Sequence, residues 1–321
     1  MRIGTVEISS KLALAPMAGV TDAAFRQICS ELGAGYTITE LISSKALCYH
    51  DKKTFSLLTQ FPGEHPAAVQ IFGSDPVCMA EAAQIALEAT GADIIDIGGE
   101  STRPGSHEVP LEEELGRVLP AVRAVRKISQ EIFISIDTRK SQVAEEALKL
   151  GADIINDVSG FLFDPELASV TARYDAGAIV MHSRSTPDKM QSKENLVYAG
   201  GLIDTVVEEL RGMMERVIAS GVRRDAIILD PGIGFAKSGE QSAALIYQSE
   251  KLLALGCPLL SGPSRKSFIG RITGEENPLE RDFGTCGSAI ASVAKGYRII
   301  RVHNVKAALD SLKVYCACMG M

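Results

Sequence analysis

The sequence lacks several features that would place the protein in a specialised class. No apolar run approaches the roughly 18 residues that a membrane-spanning helix needs. Glu7 interrupts the start of the chain, where a signal peptide would be continuously apolar. Basic residues do not predominate, because 33 Lys and Arg are set against 40 Asp and Glu, for a net charge of −7. We therefore expect partners that are neither membranes nor nucleic acids.

The cysteines also lack the patterns of disulfide-rich and zinc-binding proteins. There are seven, an odd number, and no CxxC pair occurs among them. Cys316 and Cys318 are separated by a single residue, which is a weak signal for a metal site. Such cysteines in a chain of 321 residues are typical of reduced, cytoplasmic proteins. With 46% hydrophobic and 23% charged residues, a chain of this length needs no disulfide or metal to fold.

Short apolar runs alternate with helical patterns along the chain. Between the runs, apolar residues recur every three or four positions, which predicts helices. The ten runs are residues 12–15, 36–41, 67–72, 93–97, 132–136, 153–156, 178–181, 226–229, 258–261 and 298–302. This alternation predicts right-handed βαβ units and a parallel sheet whose strands are covered on both faces.

An internal repeat supports a barrel. The segment GADII occurs at residues 91–95 and again at 151–155, and each copy has a glycine suited to ending a helix before a buried strand. This unit is typical of the α/β (β/α)8 TIM barrel, whose chemistry lies at the C-terminal ends of the strands. We predict such a barrel over residues 66–321 and an additional N-terminal β-α-β segment over residues 1–65. The sequence leaves open whether the first or the third run closes the barrel.

Polar residues stand where several strands would end. They are Asp137, Asn156, Asp157 and Asp230. Carboxylates accept pairs of hydrogen bonds and asparagine both donates and accepts, so together they suit the edge of a heterocycle rich in N–H donors. Any one of them could instead cap a helix. Four such residues in register favour a ligand pocket.

Basic residues follow other runs. The loop at 98–105 offers Arg103 to an anionic ligand, and SGPSRKS at 261–267 places hydroxyls and cations at the start of a helix. The latter is not a Walker loop, because the GxxxxGK pattern is absent. Arg301 and His303 point to the same side of the last strand, which predicts a phosphate clamp. A lone histidine such as His182 could equally be a buried structural residue.

These segments, in this order and at similar spacing, resemble the signature segments of dihydropteroate synthase. They are residues 98–105, 135–138, 155–158, 181–182, 230–237, 262–270 and 301–305. The resemblance covers about residues 91–316 and implies a magnesium-dependent transferase of folate biosynthesis, usually a homodimer. Such an enzyme condenses 6-hydroxymethyl-7,8-dihydropterin pyrophosphate with p-aminobenzoate and releases pyrophosphate.

The resemblance also implies roles for individual residues. Asp137, Asn156, Asp230 and Lys266 would bind the pterin; Thr102, Arg103, Pro104, Phe235 and Ser267 would line the p-aminobenzoate site; Arg301 and His303 would hold the pyrophosphate. Lys266, Arg301 and His303 would be catalytic. They would stabilise the leaving group and align the amine rather than supply a nucleophile.

The first part of the chain resembles the N-terminus of tRNA-dihydrouridine synthase. The similar segments are APMAGVTD at 15–22, Phe25-Arg26, GAG at 33–35, ELISS at 40–44 and VQIFGSDP at 69–76. That family binds flavin mononucleotide and has a catalytic cysteine in an Asn-x-Gly-Cys-Pro loop. Here GGES follows the strand that contains Asp96, and the later flavin-phosphate glycine motif is also missing. Residues 1–65 contain 6 basic and 6 acidic side chains, so they lack the excess of positive charge that binding to the tRNA phosphates would need. These absences argue against FMN and against a tRNA-reducing enzyme.

The chain therefore resembles a chimaera of two barrels joined near residues 91–97. The join replaces the first-strand loop of dihydropteroate synthases, Asn-x-Thr-x-Asp-Ser-Phe-Ser, with FGSDP at residues 72–76. The missing asparagine normally helps to position magnesium. Asp75 could contact the metal, although a helix N-cap is favoured. Ser185 and Ala236 stand where the family often has glycine.

Two functions remain open. The chain could form pteroate with weakened activity, or it could be a pterin-binding barrel with little or no turnover because the loop is replaced. A flavin-dependent tRNA-dihydrouridine synthase is disfavoured. A pterin-using methyltransferase is disfavoured too, since no corrinoid-binding segment is present. We expect a dihydropteroate synthase.

Overall fold

The strands and helices of the computed structural model follow the expected alternation. The structure describes residues 2–3, 6–7, 12–14, 23–31, 34–60, 63–100, 108–184 and 194–320. The strands are β1 (Arg2–Ile3), β2 (Val6–Glu7), β3 (Leu12–Leu14), β4 (Thr37–Ile38), β5 (Ile42–Ser43), β6 (Ala67–Phe72), β7 (Ile94–Gly98), β8 (Phe133–Asp137), β9 (Ile154–Asp157), β10 (Gly177–Met181), β11 (Ile227–Asp230), β12 (Leu260–Ser261) and β13 (Ile299–Val302). The α-helices are α1 (Ala23–Glu31), α2 (Ser44–Cys48), α3 (Lys52–Leu57), α4 (Pro76–Thr90), α5 (Leu111–Ile128), α6 (Ser141–Lys149), α7 (Leu167–Arg173), α8 (Leu202–Ala219), α9 (Gly239–Tyr247), α10 (Ser249–Leu253), α11 (Ser267–Thr273), α12 (Asp282–Ala294) and α13 (Val305–Cys318).

Strands β6 to β13 correspond to the eight runs predicted to build the barrel. Strands β6 to β11 pair in chain order, and each pair is parallel. Strand β12 pairs with β13 in the same way, and a parallel bridge between Leu229 and Leu259 joins the two groups. The fold is the expected α/β barrel architecture, preceded by a β-α-β segment made of β3, α1 and β4.

The N-terminal segment lies between the two ends of this set of strands. Strand β3 is parallel to β13, with Leu12 opposite Ile300, and the Leu14 amide donates to the Tyr36 carbonyl over 3.2 Å. Strands β4 and β5 both pair with β6. Among the residues described, both candidate first strands therefore belong to one continuous ring. The division of the chain at residue 65 stays a prediction.

Asp75 caps helix α4, as favoured from the sequence. Its carboxylate accepts a hydrogen bond from the backbone amide of Cys78 over 2.9 Å, and Pro76 begins the helix. The helix ends at Gly91, whose φ of 55° is in the left-handed region that glycine adopts without strain. The Asp75 carboxylate is thus used in the local structure of the replaced loop.

A buried ion pair ties the N-terminal segment together. The Nε atom of Arg26 donates to Oε1 of Glu64 over 2.7 Å, and the two side chains are only 2% and 1% exposed. Arg26 also donates to the carbonyls of Leu57 and Thr59, while the Thr37 hydroxyl donates to Glu64. This network joins α1, the end of α3 and β4 just before the chain enters β6.

Replacing Arg26 by methionine should destabilise the protein by about 3–5 kcal/mol, because Glu64 would keep a buried charge without its partner. The free energy of unfolding in urea measures this effect. The matched control is Arg173→Met, since Arg173 is 56% exposed in its ion pair with Glu145 and an exposed pair contributes about 0–1 kcal/mol. Equal losses in the two variants would contradict a structural role for the buried pair.

Candidate functional site

Asp137 and Asn156 are hydrogen bonded to each other where two neighbouring strands end. They are partners in the β8–β9 pairing, and Nδ2 of Asn156 donates to Oδ1 of Asp137 over 2.6 Å. Burial and the nearby charge of Asp96 raise the pKa of Asp137 to about 8, against the opposing effect of the Asn156 hydrogen bond. An acid that titrates near neutral pH, beside a carboxamide, can exchange hydrogen bonds with a heterocycle edge.

Asp157, the next residue along β9, holds the loop that follows the strand. It is fully buried, and its carboxylate accepts from the Ser159 hydroxyl over 2.7 Å and from the Phe161 amide over 2.8 Å. Burial raises the pKa of Asp157, and these hydrogen bonds oppose that effect. The loop beside Asn156 is therefore fixed by local hydrogen bonds.

Lys266 packs against the loop that follows β11. Its Nζ atom donates to the carbonyl of Ile233 and lies 4.6 Å from the centre of the Phe235 ring. Burial lowers the pKa of Lys266 to about 8, and the charge of Asp230 opposes this shift. Asp230 itself is buried and accepts from the Gly232 amide over 2.8 Å. Two acidic or basic groups and an aromatic ring thus meet at one end of the barrel.

The loop that follows β11 needs glycine at two positions, because neighbouring atoms lie too close to leave room for a side chain. Gly232 and Gly234 have φ values of 68° and 81°, which other residues adopt only with strain. A Cβ atom at Gly232 would lie 2.1 Å from the His182 carbonyl oxygen, and one at Gly234 would lie 2.9 Å from Cδ of Lys266. Ala236, where the family often has glycine, adopts a φ of 50°. The loop is thereby held tightly between β10 and Lys266.

A buried network supports the same loop. The Nζ atom of Lys237 lies 3.0 Å from Nδ1 of His182 and donates to the Phe235 carbonyl over 2.9 Å. Nε2 of His182 is 2.8 Å from Glu209 on helix α8. Burial lowers the pKa of Lys237 to about 7 and that of His182 to about 4. His182 is therefore a buried structural histidine, one of the two interpretations that the sequence left open.

Arg301 and His303 lie at the end of the last strand. Nδ1 of His303 is 2.7 Å from the Ser264 hydroxyl, and burial, with the charge of Arg265, lowers the His303 pKa to about 4, so the ring is neutral at pH 7. The half-buried Arg301 makes no hydrogen bond or ion pair within the described part of the chain. Such a guanidinium is suited to an anionic ligand. Ser267 is exposed at the first residue of α11.

Asp96 is a further candidate, which lies inside strand β7 rather than at its end. The Gln70 amide donates to Oδ2 of Asp96 over 2.7 Å, and Ser135 lies opposite Asp96 in the pairing of β7 with β8. Burial raises the pKa of Asp96, and the charge of Arg301 opposes the shift. An acid inside an isoleucine-rich strand is the signal that could have identified it, since such a residue needs polar partners.

A cavity of about 540 Å³ opens at this end of the barrel. Asp137, Asn156 and Phe235 line it, together with Met181, and Lys266 contacts the Phe235 ring. The volume is in the range of small-molecule sites. Three residues predicted to bind p-aminobenzoate, and one departure from the family, lie outside the described residues: Thr102, Arg103, Pro104 and Ser185.

Comparison with known proteins agrees with the chemistry of this cavity. A family model described as pterin binding enzyme matches residues 71–303. The chain belongs to this pterin-binding enzyme family. A dihydropteroate synthase from Synechocystis is 47% identical over 224 residues, which cover 70% of this chain and 76% of that protein. One from Neisseria meningitidis is 43% identical over 241 residues, which cover 74% and 82%.

A solved structure and a second family model complete the comparison of this pterin-binding enzyme. The dihydropteroate synthase of Clostridium difficile, determined in the presence of pteroic acid, has a TM-score of 0.62 and 32% identity, and the match covers 88% of this chain and 96% of that one. A dihydrouridine synthase model matches residues 13–98. Both resemblances expected from the sequence are confirmed, and they overlap in strands β6 and β7.

Pterin affinity should rise with pH below about 8, because the raised pKa of Asp137 leaves its carboxyl group largely protonated at neutral pH, whereas a donor-rich pterin edge needs the carboxylate. The slope should approach tenfold per pH unit. Fluorescence titration with 6-hydroxymethylpterin measures it. The Asp137→Asn variant, which cannot titrate, should bind weakly with a flat profile; a slope that survives in this variant would assign the titration to another group.

Proposed function

We propose that this protein is a dihydropteroate synthase, which condenses 6-hydroxymethyl-7,8-dihydropterin pyrophosphate with p-aminobenzoate and releases pyrophosphate. One observation carries the proposal: the hydrogen-bonded pair of Asp137 and Asn156 lines the same cavity as Phe235. The Phe235 ring is in turn contacted by the ammonium of Lys266. Kinship to the Synechocystis enzyme at 47% identity supports it.

The pterin would lie against Asp137, Asn156, Asp230 and Lys266. The two carboxylates accept hydrogen bonds from ring N–H and amino groups, and the asparagine can donate and accept. The Lys266 ammonium would donate to the carbonyl or a ring nitrogen of the pterin. Its present acceptor is the carbonyl of Ile233, on the loop that follows β11.

The p-aminobenzoate would pack on the Phe235 ring. An aromatic face offers offset stacking to a second ring, and the Phe235 backbone is fixed by the hydrogen bond from Lys237. Ser267 is exposed at the start of α11 and could donate to the carboxylate. Thr102, Arg103 and Pro104 complete this proposed site on the strength of the resemblance alone.

The chemistry would depend on charge stabilisation. The bond between the pterin methylene carbon and the pyrophosphate oxygen breaks, and the aryl amine attacks the electrophilic methylene and then loses a proton. Arg301 would stabilise the negative charge on the departing pyrophosphate, with His303 as a neutral hydrogen-bond donor. The residues around the cavity would hold the amine and the methylene in line, which is a large part of what such a site contributes.

We expect magnesium to be required, carried mainly by the pyrophosphate. No group of three or more His, Cys, Asp or Glu side chains in the described ranges could hold a metal ion. The charge of Arg301 lowers the pKa of both Asp96 and Asp137, so the three side chains lie near one another. Mg²⁺ commonly binds one or two carboxylates together with substrate phosphates. When bound, the ion would offset charge on the leaving group. We propose no role for FMN.

The alternative is a pterin-binding barrel with little turnover. The observation that favours it is the use of Asp75 as a helix cap in the segment that replaces the family's first-strand loop. A loop that orients substrates can lower the activation free energy of a reaction by several kcal/mol, because it holds the reacting groups in position. Binding without turnover would therefore place the defect in this segment.

We also propose a cytoplasmic location. All seven cysteines are free thiols, as is usual in a reducing compartment. None of the helices in the described ranges has the length and apolar character required to cross a membrane. Cell fractionation with an antibody to the chain would test the location, since the pea relative is named as mitochondrial.

We further propose a homodimer that forms through the face of α9, α11 and α12. A groove of about 350 Å³ on this face is lined by Tyr247 and Ile272, and the adjacent Phe283 is 93% exposed. Apolar groups exposed together are typical of an interface. Phe283→Asp should shift the sedimentation coefficient from dimer to monomer, whereas Val314→Asp, on α13, should not. A wild-type monomer at high concentration would contradict the dimer.

Pteroate formation with and without magnesium tests the activity directly. Product should form only with magnesium, and Lys266→Met should lower kcat/KM at least about tenfold, the effect of losing one charge-assisted hydrogen bond. Lys251→Met, in the exposed ion pair with Asp204, is the matched control. A well-folded wild-type protein that binds pterin but forms no pteroate would establish the alternative.

A further inference from the structure

Arg301 lies near two acidic side chains, yet it forms no ion pair with any residue that the structure describes. The charges of Arg301, Asp96 and Asp137 act on one another, yet neither carboxylate forms a salt bridge with the guanidinium among the described residues. A half-buried cation next to two acids would ordinarily pair with one of them. The structure must therefore hold both acids by other contacts.

Each acid is held by a side-chain amide. Asn156 donates to Asp137 over 2.6 Å, and Gln70 donates to Asp96 over 2.7 Å. In both cases the amide and the acid are partners on adjacent parallel strands, so the backbone register fixes the donor opposite the acceptor. Ser135, the partner of Asp96 on the other neighbouring strand, opposes the rise in the pKa of this carboxyl group.

Gln70 stands one residue before the start of the pterin-binding match, within the dihydrouridine synthase match. The pterin-binding match begins at residue 71, whereas the dihydrouridine synthase match covers 13–98. Gln70 is half-buried in strand β6, which pairs with β4 and β5 of the N-terminal segment on one side and with β7 on the other. Gln70 therefore lies on the strand through which the N-terminal segment is joined to β7.

We propose that Gln70 is a positioning residue, whose amide holds the Asp96 carboxylate away from Arg301 and so leaves the guanidinium available to the pyrophosphate of the substrate. The inference rests on the proposed function, because it takes pyrophosphate as the ligand of Arg301. In this arrangement strand β6, with which the N-terminal strands pair, contributes to the site through Asp96.

The test compares two ligands that differ only in the anion. Fully oxidised 6-hydroxymethylpterin and its pyrophosphate ester are titrated into the full-length protein. In Gln70→Met, Asp96 is free to pair with Arg301, so affinity for the ester should fall about tenfold, the scale of one lost charge-assisted contact. Affinity for 6-hydroxymethylpterin should stay unchanged. Gln84→Met is the matched control, since Gln84 bonds Glu88 on the exposed face of α4.

The double variant Gln70→Met/Asp96→Asn separates positioning from a general loss of structure. In magnesium-free buffer, removal of the competing charge should restore the wild-type ratio of ester affinity to 6-hydroxymethylpterin affinity, which a merely damaged site would not do. Equal ester affinity in Gln70→Met and wild type, or no recovery in the double variant, would overturn the inference. A wild-type protein that binds the ester no more tightly than 6-hydroxymethylpterin would instead overturn the proposed role of Arg301, and with it the proposed function.

Discussion

The parallel pairing of β3 with β13 is the contact on which the rest of the structure depends. It closes the ring of strands between the N-terminal segment and the last strand, and without it Arg301 would lie on an open sheet edge. Because the strands of the ring run in one direction, their C-terminal ends meet on the same side. This side collects Asp137, Asn156 and Arg301, so the candidate site is a consequence of backbone hydrogen bonds formed elsewhere in the ring.

The strands from β6 onward could be predicted because each is covered on both faces and therefore reads as an apolar run. Asp137 and Asn156 could be predicted as neighbours for a similar reason, since consecutive parallel strands place their ends side by side. The place of the N-terminal segment could not be predicted. The number of apolar runs predicts the number of strands. It does not predict which strand edges pair with each other, and therefore how many strands form one ring. Here Ala13 and Tyr36 are joined by a single bridge.

The polar groups that support the site were harder to foresee than the groups that face the ligand. His182, Lys237 and Glu209 meet in space from three distant segments, and none of them follows a pattern that names its partners. Asp96 depends on register in the same way, because a shift of one residue in β7 would turn its side chain to the opposite face of the sheet. Local sequence patterns predict elements and their ends; the partners of buried polar groups follow from tertiary packing.

The closing contact of the ring also sets a condition on how the molecule is made. Strand β3 is synthesised long before β13, so for most of translation its edge is without a partner. Contacts between segments far apart in the chain form slowly, because a long loop has to close first. An open strand edge is exposed to incorrect pairing during that time. The Arg26–Glu64 pair needs no residue beyond 64, so it can form once this part of the chain has left the ribosome, while the rest of the barrel is still being made.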